Sequence, residues 1–87
     1  MTAQVSVLYF AQSVELTGVK EEELVAVPTP ISSQDLWRLL LQRHPRLSLL
    51  QDQVVLAVRQ QYVAIGDQPV TLGDGDEVAV VPPLSGG

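Results

Sequence analysis

The sequence has 87 residues and a net charge of −5, with 46% hydrophobic residues, one His and no Cys. This length fits one small domain, the lack of Cys excludes disulfides and zinc–thiolate sites, and the acidic charge disfavours nucleic acid, whose phosphates attract basic surfaces. No secretory signal opens the sequence, and no apolar run reaches the ~18 residues of a membrane span. We therefore expect one cytosolic domain that binds neither nucleic acid nor membranes.

The first third of the chain predicts two strands. Val5–Phe10 is β-branched and aromatic and almost entirely apolar, which is typical of a strand covered on both faces. Leu24–Val27 predicts a second strand that ends at Pro28, because proline cannot donate to a sheet ladder. The three acids Glu21–Glu23 predict a solvated loop or strand edge, and the alternative is a surface that faces a basic partner.

One helix follows these strands. Ser32 can cap its first turn, and Asp35 lies three residues later, where an acid favours the helix dipole. The apolar stripe at helical spacing consists of Leu36, Leu39 and Leu40, widened by Trp37 and Leu41. Pro45 ends the helix at or before His44. No acid or nucleophile lies near His44 in the sequence, so we interpret it as a helix-end residue without a catalytic role.

The second half of the chain predicts three more strands. Val54–Val58 and Tyr62–Ile65 flank a polar tip and predict a hairpin. Asp74–Gly75 predicts a tight turn, and Glu77–Val81 predicts the last strand. The acids around this turn lack the ligand spacing of a calcium loop, so we expect no metal site. The order ββαβββ predicts an α+β domain in which one main helix packs on one face of a mixed sheet.

A short tail follows the last strand. Pro82 and Pro83 stop strand pairing, and Leu84, Ser85, Gly86 and Gly87 can extend at most roughly 13–14 Å beyond them. We therefore divide the chain into a domain over residues 1–82 and a slim tail over residues 83–87. A carboxylate at Gly87 would need adenylation to become reactive, and the chain offers no base or phosphate-binding loop for this step. The tail is therefore predicted to be a carrier group that another protein modifies.

Three stretches carry a family resemblance: Val7–Gln12, the hairpin of Leu56–Val63, and Gly75–Gly87. They resemble the small, sulfur-carrier subunits of molybdopterin synthase (the MoaD type). The last stretch is the most specific, since it joins a strand to a Pro-Pro-x-x-Gly-Gly end. The resemblance implies a ubiquitin-like β-grasp fold and a subunit that is not an enzyme on its own.

The resemblance also implies a reaction sequence. An E1-like enzyme uses ATP to adenylate Gly87, and a sulfur donor converts the acyl-adenylate to a thiocarboxylate. The tail then enters the large catalytic subunit, where its sulfur helps to build the dithiolene of molybdopterin on cyclic pyranopterin monophosphate. The implied assembly contains two small and two large subunits, and no cofactor stays bound to the small one. Because the substrate is anionic, we expect the pocket of the large subunit to be basic.

Residue roles carry over from the resemblance. Gly87 would hold the sulfur, and Gly86 would keep the approach narrow. The remaining tail contacts would come from Pro82, Pro83, Leu84 and Ser85. The apolar partner contacts would come from Phe10, Val80 and Val81, for which an ordinary core role is an equal alternative.

The sequence leaves two alternative hypotheses open, one that keeps the fold but changes the pathway and one without carrier chemistry. The same fold could carry sulfur for thiamine synthesis or tRNA thiolation, or could be a protein modifier that is conjugated to lysines. The chain could also be an interaction domain in which the Gly-Gly sequence is incidental.

Overall fold

The computed structural model describes residues 1–50 and 53–82. In chain order the elements are β1 (Thr2–Tyr9), α1 (Gln12–Thr17), β2 (Glu21–Pro28), β3 (Ile31–Ser32), α2 (Ser33–Arg43), a 3-10 helix (Pro45–Leu50), β4 (Val55–Val58), β5 (Gln61–Val63), β6 (Pro69–Val70) and β7 (Asp76–Val81). No helix within these ranges is long and apolar enough to cross a membrane. The division between domain and tail stays a prediction, because residues 83–87 lie outside the described residues.

The described strands form a five-stranded sheet in the order β2-β1-β7-β4-β5, with β3 and β6 in a separate two-stranded ribbon. The pair β1–β7 is parallel, and the pairs β1–β2, β4–β5 and β4–β7 are antiparallel. The sheet is therefore mixed, and β1 is an interior strand between β2 and β7. This arrangement confirms the predicted α+β class and the β-grasp fold.

Apolar side chains alternate along the strands and meet α2 on one face, which we call the inner face. The buried residues of this core include Val5, Val7, Leu36, Leu40, Leu56, Val78 and Val80. Full burial of each such side chain contributes about 1.5–3 kcal/mol before the loss of chain entropy is counted. The core therefore fixes the helix against the centre of the sheet.

The prediction that β1 is covered on both faces is wrong. Its inner-face residues are buried, whereas Ser6 and Leu8 on the opposite, outer face are only partly buried and Gln4 is exposed. Helix α2 packs its buried residues into the core on the inner face. Apolar composition alone did not distinguish a covered outer face from one left open to solvent or a partner.

Helix α2 begins and ends where the sequence predicts. The Ser32 side chain accepts a hydrogen bond from the Asp35 backbone N–H at 3.0 Å, which satisfies a donor that has no partner within the helix. At the other end the His44 N–H donates to the Leu40 carbonyl at 2.8 Å. Pro45 then starts the 3-10 helix, since its ring is tolerated in a first turn but not inside a helix.

Helix α1 was not predicted from the sequence. The buried Ser13 hydroxyl accepts from the Phe10 N–H at 2.8 Å and also contacts the Phe10 carbonyl. Gly18 ends the helix with a φ of 80°, a left-handed conformation that glycine adopts without steric cost. A helix of six residues is too short to show a repeating apolar stripe.

The hairpin between β4 and β5 is confirmed. Arg59 and Gln60 form its tip with φ values of 50° and 69°, the sign pattern of a two-residue type I′ connection. Strand β5 ends at Val63 rather than Ile65. The chain then turns toward α2, where the Ala64 and Gly66 carbonyls meet the Ser33 hydroxyl at 2.9 and 3.0 Å.

Candidate functional site

The site lies at the end of the sheet from which the chain leaves β7. Tyr9 and Val80 are partners in the parallel pair β1–β7, so both strands end at the same edge. Strand β4 runs the other way and places Val55 opposite Val81. The chain therefore leaves the sheet between the end of β1 and the start of β4. The buried Pro82 is the last described residue at this point.

The structure separates the three apolar residues named as partner contacts. Val80 is fully buried on the inner face, so of its two alternatives the core role is the one observed. Val81 is partly buried on the outer face, and Phe10 is 48% exposed. Phe10 and Val81 therefore remain available at the surface. The other named residues, Pro83, Leu84, Ser85, Gly86 and Gly87, lie outside the described residues.

An apolar hollow of about 350 Å³ covers this end of the outer face. Its apolar lining consists of Leu8, Phe10, Ala57, Tyr62, Ala79 and Val81. Phe10 also lines a second hollow of about 380 Å³ beside Val14 and Lys20, so its ring lies between the two. We call the first of these surfaces the outer hollow. An exposed apolar concavity of this kind is typical of a protein-binding surface.

Most of the outer hollow was missed in the sequence analysis. Tyr62 is 76% exposed on β5, in a hairpin that the sequence predicted without a functional role. Ala57 lies opposite Tyr62, and Ala79 lies beside Leu8 and Ala57 in the sheet. These residues come together only through strand order and register, so no pattern within one segment indicates the hollow. The aromatic residue Tyr62 is the one signal of this surface that the sequence could have offered.

Acidic side chains lie next to the outer hollow. Glu21 and Glu23 lie on the edge strand β2, opposite Leu8 and Ser6, and Glu77 lies on the other side of Ser6 in β7. All three acids are exposed. This bears out the strand-edge interpretation for Glu21 and Glu23. The outer face therefore combines an apolar end with an acidic neighbouring surface.

Glu22 differs from the other two acids of the triplet because it turns to the inner face. It lies opposite the buried Val7, and its side chain is only 15% exposed. Its carboxylate accepts from the Tyr9 hydroxyl at 2.5 Å, contacts His44 Nε2 at 2.7 Å and lies 3.4 Å from Arg43 Nε. The acid partner of His44 lies 22 residues away in the chain, so the sequence around His44 did not indicate it. Side chains two residues apart on a strand point to the same face, so the alternation from the apolar Leu24 could have predicted that Glu22 points inward.

The surroundings of Glu22 favour its ionised form. Burial alone would raise the pKa of this carboxyl, but hydrogen bonds from Tyr9 and His44 and the charges of His44 and Arg43 outweigh burial and hold the pKa below its usual range. Burial, followed by the hydrogen bond to Glu22 and its charge, strongly raises the pKa of Tyr9. The carboxylate therefore accepts hydrogen bonds at neutral pH while the phenol keeps its proton.

The acids at the β7 turn are engaged in holding the backbone. Asp74 Oδ1 accepts from the Gln4 N–H at 2.8 Å, and Asp76 Oδ2 accepts from the Gly73 N–H at 2.8 Å and from Arg59 Nη1 at 2.7 Å. Gly75 adopts a φ of 87° in this turn, as the sequence predicts for a tight Asp-Gly turn. Across residues 1–50 and 53–82, no group of three His, Asp or Glu side chains is arranged to hold a metal ion.

Comparisons with known proteins show which family the chain resembles. Residues 7–87 match the ThiS family. The chain is 51% identical over 84 residues to the molybdopterin synthase sulfur carrier subunit of Homo sapiens, covering 97% of this chain and 94% of that protein. A solved structure from Pyrococcus furiosus, assigned as molybdopterin converting factor, subunit 1, is 33% identical with a TM-score of 0.76 and covers 95% of this chain and 100% of that one.

The same fold occurs in a solved complex of subunits 1 and 2 of molybdopterin-converting factor from Helicobacter pylori. That match has a TM-score of 0.63 and 19% identity, and it covers 97% of this chain and 99% of that one. At this identity the likeness concerns the fold alone. On the full-length similarity to the human protein and the match over residues 7–87, the chain belongs to the ThiS family, among the molybdopterin synthase sulfur carrier subunits.

Proposed function

We propose that this chain carries sulfur on Gly87 for a cytosolic molybdopterin synthase. The observation that carries the proposal is the exit of the chain from β7 beside the outer hollow, in a member of the sulfur carrier family. A partner seated on that hollow would lie next to the start of the tail. The tail itself would supply the reacting group, and the folded domain would supply the surface that the partner recognises.

The proposed loading of sulfur takes two steps. An oxygen of the Gly87 carboxylate attacks the α-phosphate of ATP, and pyrophosphate leaves. Sulfur at the oxidation level of hydrogen sulfide then attacks the acyl carbon, and AMP leaves with the bonding electrons to give a thiocarboxylate. Both steps belong to an E1-like enzyme, because the carrier contributes only its terminal carboxylate. Glycine at the last two positions leaves the acyl carbon accessible in a narrow channel.

The proposed delivery of sulfur takes place in the large subunit. The thiocarboxylate sulfur attacks a carbon of cyclic pyranopterin monophosphate and displaces an oxygen substituent of that carbon, which leaves with the bonding electrons of the broken carbon–oxygen bond. Water then hydrolyses the acyl–sulfur bond. Sulfur stays on the pterin, and Gly87 returns to a carboxylate. One carrier delivers one sulfur atom, so a dithiolene needs two deliveries. This stoichiometry is compatible with an assembly of two small and two large subunits.

The outer hollow is the proposed docking surface for the large subunit. Phe10 and Tyr62 present exposed aromatic rings there, and aromatic side chains commonly dominate the energy of protein interfaces. The naming of the human relative as a subunit supports a partner of this kind. The exposed Glu23 and Glu77 beside the hollow would favour a partner with a basic surface, as expected for one that binds an anionic pterin.

The test of the proposal is intact-mass spectrometry after incubation with an E1-like enzyme, ATP and a sulfur donor. We expect a mass gain equal to the replacement of one oxygen by sulfur, located at Gly87 and absent from a Gly87 deletion. Tyr62→Ser is the matched variant: it should gain the same mass but transfer less sulfur once the large subunit and the pterin precursor are added. Absence of the mass gain with an active enzyme would contradict the carrier chemistry. A loaded carrier that delivers no sulfur to the precursor would contradict the assignment to this pathway.

A further inference from the structure

The cluster around Glu22 takes no part in the reaction proposed above. One carboxylate joins three elements that are separate in the chain: it accepts from the hydroxyl of Tyr9 at the end of β1, lies in β2, and contacts Nε2 of His44 at the end of α2. The rings of Tyr9 and His44 also meet edge to face, 5.6 Å apart with an interplanar angle of 84°. The end of β1 is thus attached to the end of the helix by directional contacts.

This cluster lies directly behind the outer hollow. Tyr9 is the partner of Val80 in the parallel pair, and both side chains point to the inner face, where they are buried. The next residues along the two strands, Phe10 and Val81, line the outer hollow. The cluster and the docking surface therefore occupy opposite faces of the same two strand ends. A shift in the position of Tyr9 would be passed through one peptide bond to Phe10.

A polar cluster is an unusual way to fill this position. Apolar side chains of similar volume would commonly be as stabilising, because ionised groups lose hydration when they are buried. A hydrogen-bonded cluster also fixes the relative orientation of its side chains, since only one arrangement of the three groups satisfies all of their hydrogen bonds. The titratable neighbours of Glu22 are Arg43 and His44 at the end of α2 and Tyr9 in β1. Glu21 and Glu23 on its own strand are exposed.

We propose that Glu22 is a positioning residue for partner docking: through Tyr9 and His44 it fixes the end of β1, and so sets the orientation in which Phe10 and Val81 meet the large subunit. This inference rests on the proposed function. It gives the inner-face cluster a role in the affinity of the carrier for its partner. It does not assign any catalytic role to His44.

The test compares dissociation constants of the full chain for the large subunit, measured well below the unfolding temperature. Glu22→Gln should bind about tenfold more weakly and Tyr9→Phe about threefold more weakly, because each removes part of the hydrogen-bonded arrangement. Asp67→Asn removes the same charge from an exposed position in a distant loop and should bind like the native chain. Val27→Ala makes a cavity at the other end of β2, where Val27 is 2% exposed, and should lower stability without changing affinity.

A second measurement separates this inference from the proposed function. Backbone amide resonances of Phe10 and Val81 in the free chain should move in Glu22→Gln and stay in place in Val27→Ala. If Glu22→Gln and Tyr9→Phe lose stability as Val27→Ala does but bind normally, the cluster is structural only and the proposal is wrong. If Glu22→Gln does not fold, Tyr9→Phe decides by the same criterion. If the native chain does not bind the large subunit, the proposed function fails, and unmoved Phe10 and Val81 resonances would overturn the positioning role as well.

Discussion

Phe10 and Tyr62 line the same hollow on the outer face of the sheet, although β7 and β4 lie between their strands. Phe10 follows β1, and Tyr62 lies on the edge strand β5. The strands between them contribute smaller side chains, Ala79 and Ala57, which leave the concave floor. Two exposed aromatic side chains over a small-residue floor form a surface into which an apolar side chain of a partner can insert.

Loss of an aromatic ring from the outer hollow should weaken docking without unfolding the chain. Tyr62→Ser removes a side chain that is 76% exposed, so stability should change little. The affinity for the large subunit should fall by about 2 kcal/mol, roughly 30-fold, which is typical of an aromatic interface anchor. Isothermal titration calorimetry measures this loss. Leu49→Ser, which removes an apolar side chain that is 71% exposed elsewhere, should bind normally, and equal losses in both variants would argue against the hollow.

Charge beside the outer hollow should control how fast the partner arrives. Glu77→Lys reverses an exposed charge at the rim, and we expect the association rate to fall about threefold or more at low salt while the dissociation rate stays nearly constant. Screening should remove most of the difference at about 0.5 M salt. Stopped-flow mixing at several salt concentrations measures both rates. Asp67→Lys should not lower the association rate. An association rate that rises in Glu77→Lys would indicate an acidic partner.

The two serines at the start of α2 should differ in their contributions to stability. Ser32→Ala removes a partly buried N-cap and should cost about 1 kcal/mol. Ser33→Ala removes a buried hydroxyl that accepts from the Gly66 N–H at 2.8 Å and lies within hydrogen-bond distance of the Ala64 and Gly66 carbonyls. Leaving these groups without the hydroxyl should cost about 2–3 kcal/mol. Urea unfolding measures both changes in the free energy of unfolding. A larger loss in Ser32→Ala than in Ser33→Ala would contradict the larger contribution assigned to the buried hydroxyl.

Acid should destabilise the chain in part through Glu22. Its pKa in the folded state lies below the ordinary value of 4.5, so its stabilisation is present above that value and is lost as the pH falls through the lowered pKa. Glu22→Gln should therefore be less stable at pH 7, and its difference from the native chain should shrink as the pH falls below 4.5 and through the lowered pKa. Urea titrations at each pH measure the free energy of unfolding. A constant difference over this range would show that the Glu22 charge is not linked to folding.

Local patterns predicted those elements that local interactions create. Ser32, Asp35 and Pro45 set the bounds of α2 through capping and proline chemistry, which act within a few residues of the chain. The Asp74–Gly75 turn follows from the same kind of rule. The acidic triplet was interpreted correctly at Glu21 and Glu23 and wrongly at Glu22, because strand alternation turns the middle residue toward a helix that lies elsewhere in the sequence.

The sequence by itself determined the alternation of strands, the single long helix and the Gly-Gly end that led to the sulfur carrier family. Only the tertiary structure decided that β1 and β7 pair in parallel, that Phe10 and Tyr62 share one hollow, and that Glu22 meets His44. The physical reason is that strand order and register depend on contacts between distant segments. Hydrophobic periodicity indicates which face of a strand is buried, but not which other strand or helix covers that face.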